Sequence, residues 1–272
     1  MSPPALAKSR ILMCPPDHFA VAYVINPWME GQFASTEPEL ARRQWAFLKQ
    51  AVERHAVVSL LPSRVGLPDL VFTANAGLVK DNKVVTSRFR SPERRGEESF
   101  DRLWFEQNGF VVLDPPSETF FEGAGDALYD QARDLYWVGH GFRSDPSAVF
   151  LEESLLTRTI GLNLVDPRFY HLDTCLSPLP DGYLLYFPAA FDAPSRQAIE
   201  AMVPENRRLI VSEQDALKFC CNAVALDDVV IMNDASDALQ GQLREAGLTP
   251  VLTPLGEFLK AGGAAKCLTL NL

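Results

Sequence analysis

The sequence predicts an α/β fold of five repeated modules closed into a ring around a pseudo-fivefold axis, and three observations carry that prediction. Five segments with helical periodicity and a polar face begin about 40 to 60 residues apart. Each is followed by a short β-branched or apolar run and then by a polar station. In the first four modules two further apolar runs come next, joined by a turn; the fifth module has one run left, and the opening of the chain supplies its partner.

In chain order the helices are expected at 37–54, 95–108, 147–160, 194–202 and 235–246, where apolar residues recur at helical spacing. The strand after each is expected at 57–61, 110–113, 162–165, 208–211 and 250–252. The hairpin turns fall at Asp81-Asn82, 131–134, Pro180-Asp181-Gly182 and Asp227-Asp228, all rich in the residues that tolerate tight turns. The last strand, 267–270, pairs with 11–14. Asp69, Glu122, His171, Asn222 and Cys267 occupy the same place in successive modules, so a ring would turn all five toward one central cavity. The competing architecture is a three-layer α/β sandwich with these residues scattered over strand ends. Cofactor motifs do not favour it: there is no GxxxxGK[ST] and no GxGxxG, and Glu122-Gly123-Ala124-Gly125-Asp126 sets two carboxylates where a phosphate needs bare amides.

Composition bounds the function. The chain has 272 residues and is expected to form one domain over 10–272 after a loose tail at 1–9. A net charge of −10 argues against nucleic acid, which requires a basic face. Five cysteines at irregular positions make neither a disulfide framework nor a CxxC zinc pattern, which fits a reducing cytoplasm. No apolar run approaches the ~18 residues of a membrane span, and the N-terminus lacks a signal-peptide pattern.

Within the stations, Cys267 follows Gly262-Gly263-Ala264-Ala265-Lys266, where a glycine pair lets backbone approach a ligand; it is the candidate nucleophile, against inert packing as the alternative. His171 is the candidate acid and base, with Asp173 two residues on. Glu122 and Asp126 flank two glycines; a solvated turn is one reading, and carboxylates paired to a guanidinium is the other. Asp69 lies in an apolar stretch and fits either a buried role or a turn. Arg94 and Arg143 offer the planar fork that grips a carboxylate, although Arg94-Arg95-Gly96-Glu97-Glu98 alone reads as a solvated helix start. Cys175, Cys220 and Cys221 read as core thiols.

The phrases PDLVFTAN, FEGAGD, FYHLDTC, CN and GGAAKC together resemble the guanidino-group-modifying superfamily of arginine deiminases, dimethylarginine hydrolases and amidinotransferases. The resemblance is strongest to the arginine dihydrolase domain that cyanobacteria fuse to an ornithine-related C-terminal region, and it runs from about Ile11 to Leu272. It implies a five-bladed α/β propeller (the pentein fold) that uses no metal or organic cofactor. It implies Cys267 as nucleophile, His171 as acid and base, and Glu122 as a carboxylate pairing the guanidinium. Asp69, Asn75, Asp126 and Asp173 match substrate-contacting positions, Arg94 and Arg143 those gripping the α-carboxylate, and Asn26 a lid or substrate wall. Deiminases and dimethylarginine hydrolases carry a carboxylate where this chain has Asn75. An amide holds a cationic guanidinium and a neutral ureido group alike, because it both donates and accepts. The implied activity is hydrolysis of L-arginine to ornithine, ammonia and carbon dioxide. Arginine deiminase, dimethylarginine hydrolase and amidinotransferase are the enzymatic alternatives, and a propeller-fold ribosome anti-association protein is the non-enzymatic one. The expected partner is L-arginine, with neither nucleic acid nor membrane, and with a homo-oligomer left open.

Overall fold

In the computed structural model the described residues are 9–146 and 148–272. Residues 1–8 of the expected tail and Ser147, the expected start of the third helix, lie outside them. Ser9 is already tied into the fold: its carbonyl accepts from the Val57 amide at 2.8 Å.

The first blade is assembled from both ends of the chain. Strand β1 (Arg10–Met13) leads to helix α1 (Pro38–Glu53) and then β2 (Val57–Leu60), which pairs parallel to β1. Helix α1 forms because Pro38 opens it without wasting a backbone donor and because Ala41, Trp45, Leu48 and Val52 make one buried stripe. The second blade is β3 (Gly77–Lys80), β4 (Lys83–Thr86), α2 (Arg95–Gln107) and β5 (Val111–Leu113). The third is β6 (Ala127–Asp130), β7 (Leu135–His140), α3 (Ala148–Leu155) and β8 (Arg158–Asn163). The fourth is β9 (Leu176–Pro178), β10 (Leu184–Tyr186), α4 (Ala193–Met202) and β11 (Arg208–Ile210). A short α5 (Glu213–Ala216) precedes the fifth: β12 (Val224–Leu226), β13 (Val229–Met232), α6 (Asp237–Glu245) and β14 (Thr249–Leu252). After the short α7 (Gly256–Leu259), β15 (Leu270–Asn271) returns antiparallel to β1 and closes the ring.

Every sheet is three-stranded, its middle strand antiparallel to one neighbour and parallel to the other, which is reached through a helix; in four of the five the antiparallel pair is a hairpin. The hairpin turns share one device. Asp81, Asp134, Asp181 and Asp227 all sit at positive φ, between 49° and 56°, the left-handed conformation that Asp accepts more readily than most side chains. Caps fix the helix starts: Asp192 accepts from the Ser195 amide ahead of α4, and Ser236 from the Leu239 amide ahead of α6. Among the described residues no helix is long and apolar enough to cross a membrane.

The third module departs from expectation. Helix α3 ends at Leu155 rather than 160, Leu156 turns at φ 51°, and the strand begins at Arg158 instead of 162. The run Thr157, Thr159, Ile160 is β-branched, and it pairs with β7 over six residues from Leu135↔Arg158 to His140↔Asn163.

Candidate active site

Each station is a tight turn that enters the first strand of its blade. Single 3-10 turns span Pro68–Val71, Thr73–Ala76, Gly123–Gly125 and Leu172–Thr174, so Asp69, Asn75 and Asp173 lie inside turns while Glu122 and His171 stand just before theirs. The turns converge on a narrow cavity. Asn26, Asp69, Asn75, Arg94, Arg143, His171 and Cys267 line it; Asp173 and Glu122 touch the lining side chains Cys267 and His171.

The Cys267 sulfur is held between an amide and a carboxylate. Asn222 Nδ2 donates to Cys267 Sγ at 3.1 Å, and the thiol donates to Asp173 Oδ2 at 3.3 Å. Asn222 Oδ1 also accepts from the Ala264 and Cys267 amides, each at 3.1 Å, which fixes the loop carrying the sulfur. Burial first, and then the Asp173 charge, push the thiol well above the ordinary range, so it rests protonated. The loop depends on its glycines. Gly262 sits at φ +80°, its carbonyl accepts from the Tyr170 hydroxyl at 2.7 Å, and a Cβ on Gly263 would stand 2.4 Å from the Phe72 ring.

Across the cavity His171 Nε2 lies 2.7 Å from Glu122 Oε2. The same oxygen accepts from Arg143 Nη1 at 3.2 Å, and Glu122 Oε1 accepts from the Arg90 amide at 3.2 Å. Burial alone would raise this carboxyl, but the Arg143 guanidinium and the His171 contact hold it at about 2. Arg143 also donates to the Ile25 carbonyl at 2.8 Å and stacks on Tyr170 with its guanidinium 4.7 Å from the ring centroid.

A second polar group surrounds Arg94. Its Nε and Nη2 fork onto Glu97 at 3.0 and 2.7 Å, and Nη1 donates to Asn75 Oδ1 at 2.8 Å. The fork expected to grip a ligand carboxylate therefore meets a carboxylate of its own chain. Asn75 Nδ2 donates to the Glu122 carbonyl at 3.0 Å, an approach that a Cβ at Gly125 would block at 2.4 Å. Asp69 Oδ2 accepts from the Tyr23 hydroxyl at 2.9 Å. Its Oδ1, like Asp173 Oδ1, is a buried carboxylate oxygen with no hydrogen-bond partner among the described residues.

Asp126 is placed differently from the expectation that set it against substrate. Ser144 Oγ donates to its Oδ2 at 2.6 Å and the Leu172 amide to its Oδ1 at 2.9 Å, so both oxygens serve the fold. Ser144 Oγ in turn accepts from the Glu122 amide at 3.0 Å, so Asp126 braces the segments that carry Glu122 and His171. Asn26 lines the cavity as expected, yet its side chain caps the turn at Trp28 and Met29 and donates to the Ala261 carbonyl at 3.0 Å. Sequence reasoning passed over Tyr23, Arg90 and Ser144; it set Asn222 among the five stations but not its bridge from Asp173 to the sulfur. The signal for Asn222 was an amide in the otherwise apolar run Cys220 to Leu226.

The family model for eukaryotic N,N-dimethylarginine dimethylhydrolase matches residues 28–272. The chain is 53% identical over 264 residues to the bifunctional arginine dihydrolase/ornithine cyclodeaminase ArgZ of Synechocystis sp., a match that takes in 97% of this chain and 37% of that protein. It thus spans little more than a third of the length of that curated relative. A dimethylaminohydrolase acting on N(G),N(G)-dimethylarginine from Mycobacterium tuberculosis is 40% identical over 97% of this chain and 85% of its own. The crystal structure of the N-terminal domain of ArgZ bound to product superposes with a TM-score of 0.96 at 53% identity, covering 97% of each chain. The five-bladed α/β propeller is shared with the ArgZ domain. The chain belongs to the dimethylarginine dimethylaminohydrolase family, within the guanidino-group-modifying superfamily.

Proposed function

We propose that this chain hydrolyses the guanidino group of L-arginine with Cys267 as nucleophile, in two rounds that end at ornithine. One observation supports the reading above the others: two buried carboxylates, Asp69 and Asp173, each keep an oxygen without a partner beside a cavity that also holds a thiol and an imidazole. Unpaired buried carboxylate oxygens are costly, and a ligand with two cationic groups offsets both. L-Arginine has them, an α-ammonium for Asp69 and a guanidinium for Asp173.

The chemistry follows from the resting thiol. A buried thiol beside a carboxylate stays neutral until a positive charge arrives, and the guanidinium brings that charge to Asp173 and the sulfur together. The thiol gives its proton to His171, and the thiolate so formed makes a C–S bond to the guanidinium carbon. A C–N bond then breaks, and His171, oriented by Glu122, protonates the departing ammonia. Water, deprotonated by His171, adds to the same carbon and the C–S bond breaks, leaving a ureido group. In the second round the thiolate adds to the ureido carbon and a second ammonia leaves. Hydrolysis of the resulting thiocarbamate releases a carbamate that loses carbon dioxide and leaves ornithine. Two waters enter, and one carbon and two nitrogens depart. Arg143, whose guanidinium lines the cavity, is the cation for the substrate carboxylate; Arg94, on the same lining, is forked onto Glu97 and holds Asn75 and the Asp69 carbonyl.

Asn75 favours the two-round reading over release at the ureido stage. One donor and one acceptor site of its amide are used within the chain, and one of each remains for either the guanidinium or the ureido oxygen. The test is product analysis on purified protein. Ornithine is the expected end product from L-arginine; citrulline accumulating without ornithine would reject the dihydrolase reading and leave arginine deiminase.

A further inference from the structure

The segment that leads into the His171 turn is firmly mounted. Trp28 Nε1 donates to the Arg168 carbonyl at 2.7 Å, the Phe169 amide donates to the Asp166 carbonyl at 2.9 Å, and the Phe169 ring is fully buried. Tyr170, the next residue, is buried too and lines the candidate active site, where its ring lies 4.9 Å from the His171 imidazole at a tilt of 55°.

Two groups from distant parts of the chain meet on that one side chain. Its hydroxyl donates to the Gly262 carbonyl at 2.7 Å, and its ring carries the Arg143 guanidinium 4.7 Å from the centroid. Side-chain hydrogen bonds pin the loop that leads to Cys267: Asn26 Nδ2 to the Ala261 carbonyl, Tyr170 to the Gly262 carbonyl, and Asn222 Oδ1 from the Ala264 and Cys267 amides. Asn222 fixes the end nearest the sulfur. Tyr170 fixes the glycine turn, where Gly262 at φ +80° has the widest choice of backbone conformations. The phenol stays a donor, because burial and then the Cys267 charge keep it well above its ordinary range.

Arg143 spends one donor on Glu122 Oε2 and another on the Ile25 carbonyl, and its planar fork has more to offer a ligand. The Tyr170 ring lies against the guanidinium and keeps it from swinging away from the cavity. From these contacts we infer that Tyr170 is a positioning residue with two separable parts: its hydroxyl holds the loop of the nucleophile, and its ring holds the cation for the substrate carboxylate. One side chain thus sets the spacing between the attacking sulfur and the anchored end of the substrate. The ring's part rests on the proposed function, which gives Arg143 that carboxylate; the hydroxyl's contact does not.

The experiment compares wild type with Tyr170→Phe, which loses the hydroxyl alone, and Tyr170→Leu, which loses the ring as well. In Tyr170→Phe kcat for L-arginine falls about tenfold while KM stays within about twofold of wild type, because the sulfur is misplaced and the anchor is kept. Backbone amide exchange over 259–267, followed by mass spectrometry on the free enzyme, quickens about tenfold in the same variant. In Tyr170→Leu KM rises about fivefold or more above that of Tyr170→Phe, since the guanidinium has lost its platform. Wild-type kcat and exchange in Tyr170→Phe overturn the hydroxyl's part, and equal KM values in the two variants overturn the ring's. Losses in kcat and KM alike already in Tyr170→Phe, with a lowered melting temperature, mark simple packing and overturn both. If Tyr170→Leu does not fold, Tyr170→Met takes its place. Wild type that consumes no L-arginine defeats the functional reading separately, and the exchange measurement, which needs no ligand, still judges the hydroxyl.

Discussion

Nε2 of His171 and Oε2 of Glu122 lie 2.7 Å apart in a site from which both side chains are almost wholly excluded from water. Glu122 was expected to pair the guanidinium directly; it stands behind the imidazole and orients it instead. The pair also has a signature in stability. The folded-state pKa of Glu122, about 2, lies below its unfolded value of 4.5, so its contribution is fully present above pH 4.5 and is lost as pH falls toward 2. A depression of that size corresponds to roughly 3 kcal/mol. The unfolding free-energy gap between wild type and Glu122→Gln is expected to shrink across that window and to stay flat above it. Denaturant unfolding at a series of pH values measures it, and a gap independent of pH between 4.5 and 2 would show that the carboxylate is not held by its partners.

Cys267→Ser is expected to abolish turnover, by a thousandfold or more, while leaving the fold intact. The hydroxyl keeps acceptor and donor roles toward Asn222 and Asp173, and serine removes little packing volume. Product assays and thermal melting check the two halves. Residual activity within tenfold of wild type would exclude this sulfur as the nucleophile.

Much of the ring was legible in the sequence because local and global signals agreed. Helical stripes such as Ala41, Trp45, Leu48 and Val52 recur at regular spacing, and the turn aspartates stand where a left-handed residue is needed. The polar stations were legible for the same reason, since a repeat puts equivalent residues at equivalent depth. The third helix ran too far because periodicity alone does not stop at Leu155; the β-branched residues after it were the stop signal. The occupancy of side chains was not legible. Nothing in PERRGEE says that Arg94 turns inward onto Glu97, or in FEGAGD that Asp126 meets Ser144, because both contacts are made by tertiary folding. Tyr23 was passed over for the same reason.

Gly263→Ala is expected to harm substrate binding more than its one methyl group suggests. The added carbon would lie 2.4 Å from one ring carbon of Phe72 and 2.8 Å from the next, and that ring lines the cavity. Overpacking of this kind costs about 1–3 kcal/mol. A lower melting temperature and a raised KM for L-arginine are the expected pair of changes. Wild-type values for both would mean that the ring moves aside freely.

Asn75→Asp is expected to halt the reaction at the ureido stage, with citrulline accumulating and the ornithine yield falling at least tenfold. The carboxylate keeps the acceptor role toward Arg94, which is the stronger of the two contacts once charged. It loses the donor that now reaches the Glu122 carbonyl, and two acceptors are left facing each other in a buried turn, at about 1–3 kcal/mol. More important for the chemistry, an ionised group now faces the neutral ureido oxygen. A guanidinium still binds and is still attacked, so the first ammonia is released at a rate close to wild type, but the product of that round is repelled before the thiol can attack again. Following ammonia, citrulline and ornithine together separates the two rounds. An unchanged ornithine yield per ammonia would show that the neutrality of Asn75 is not what holds the intermediate.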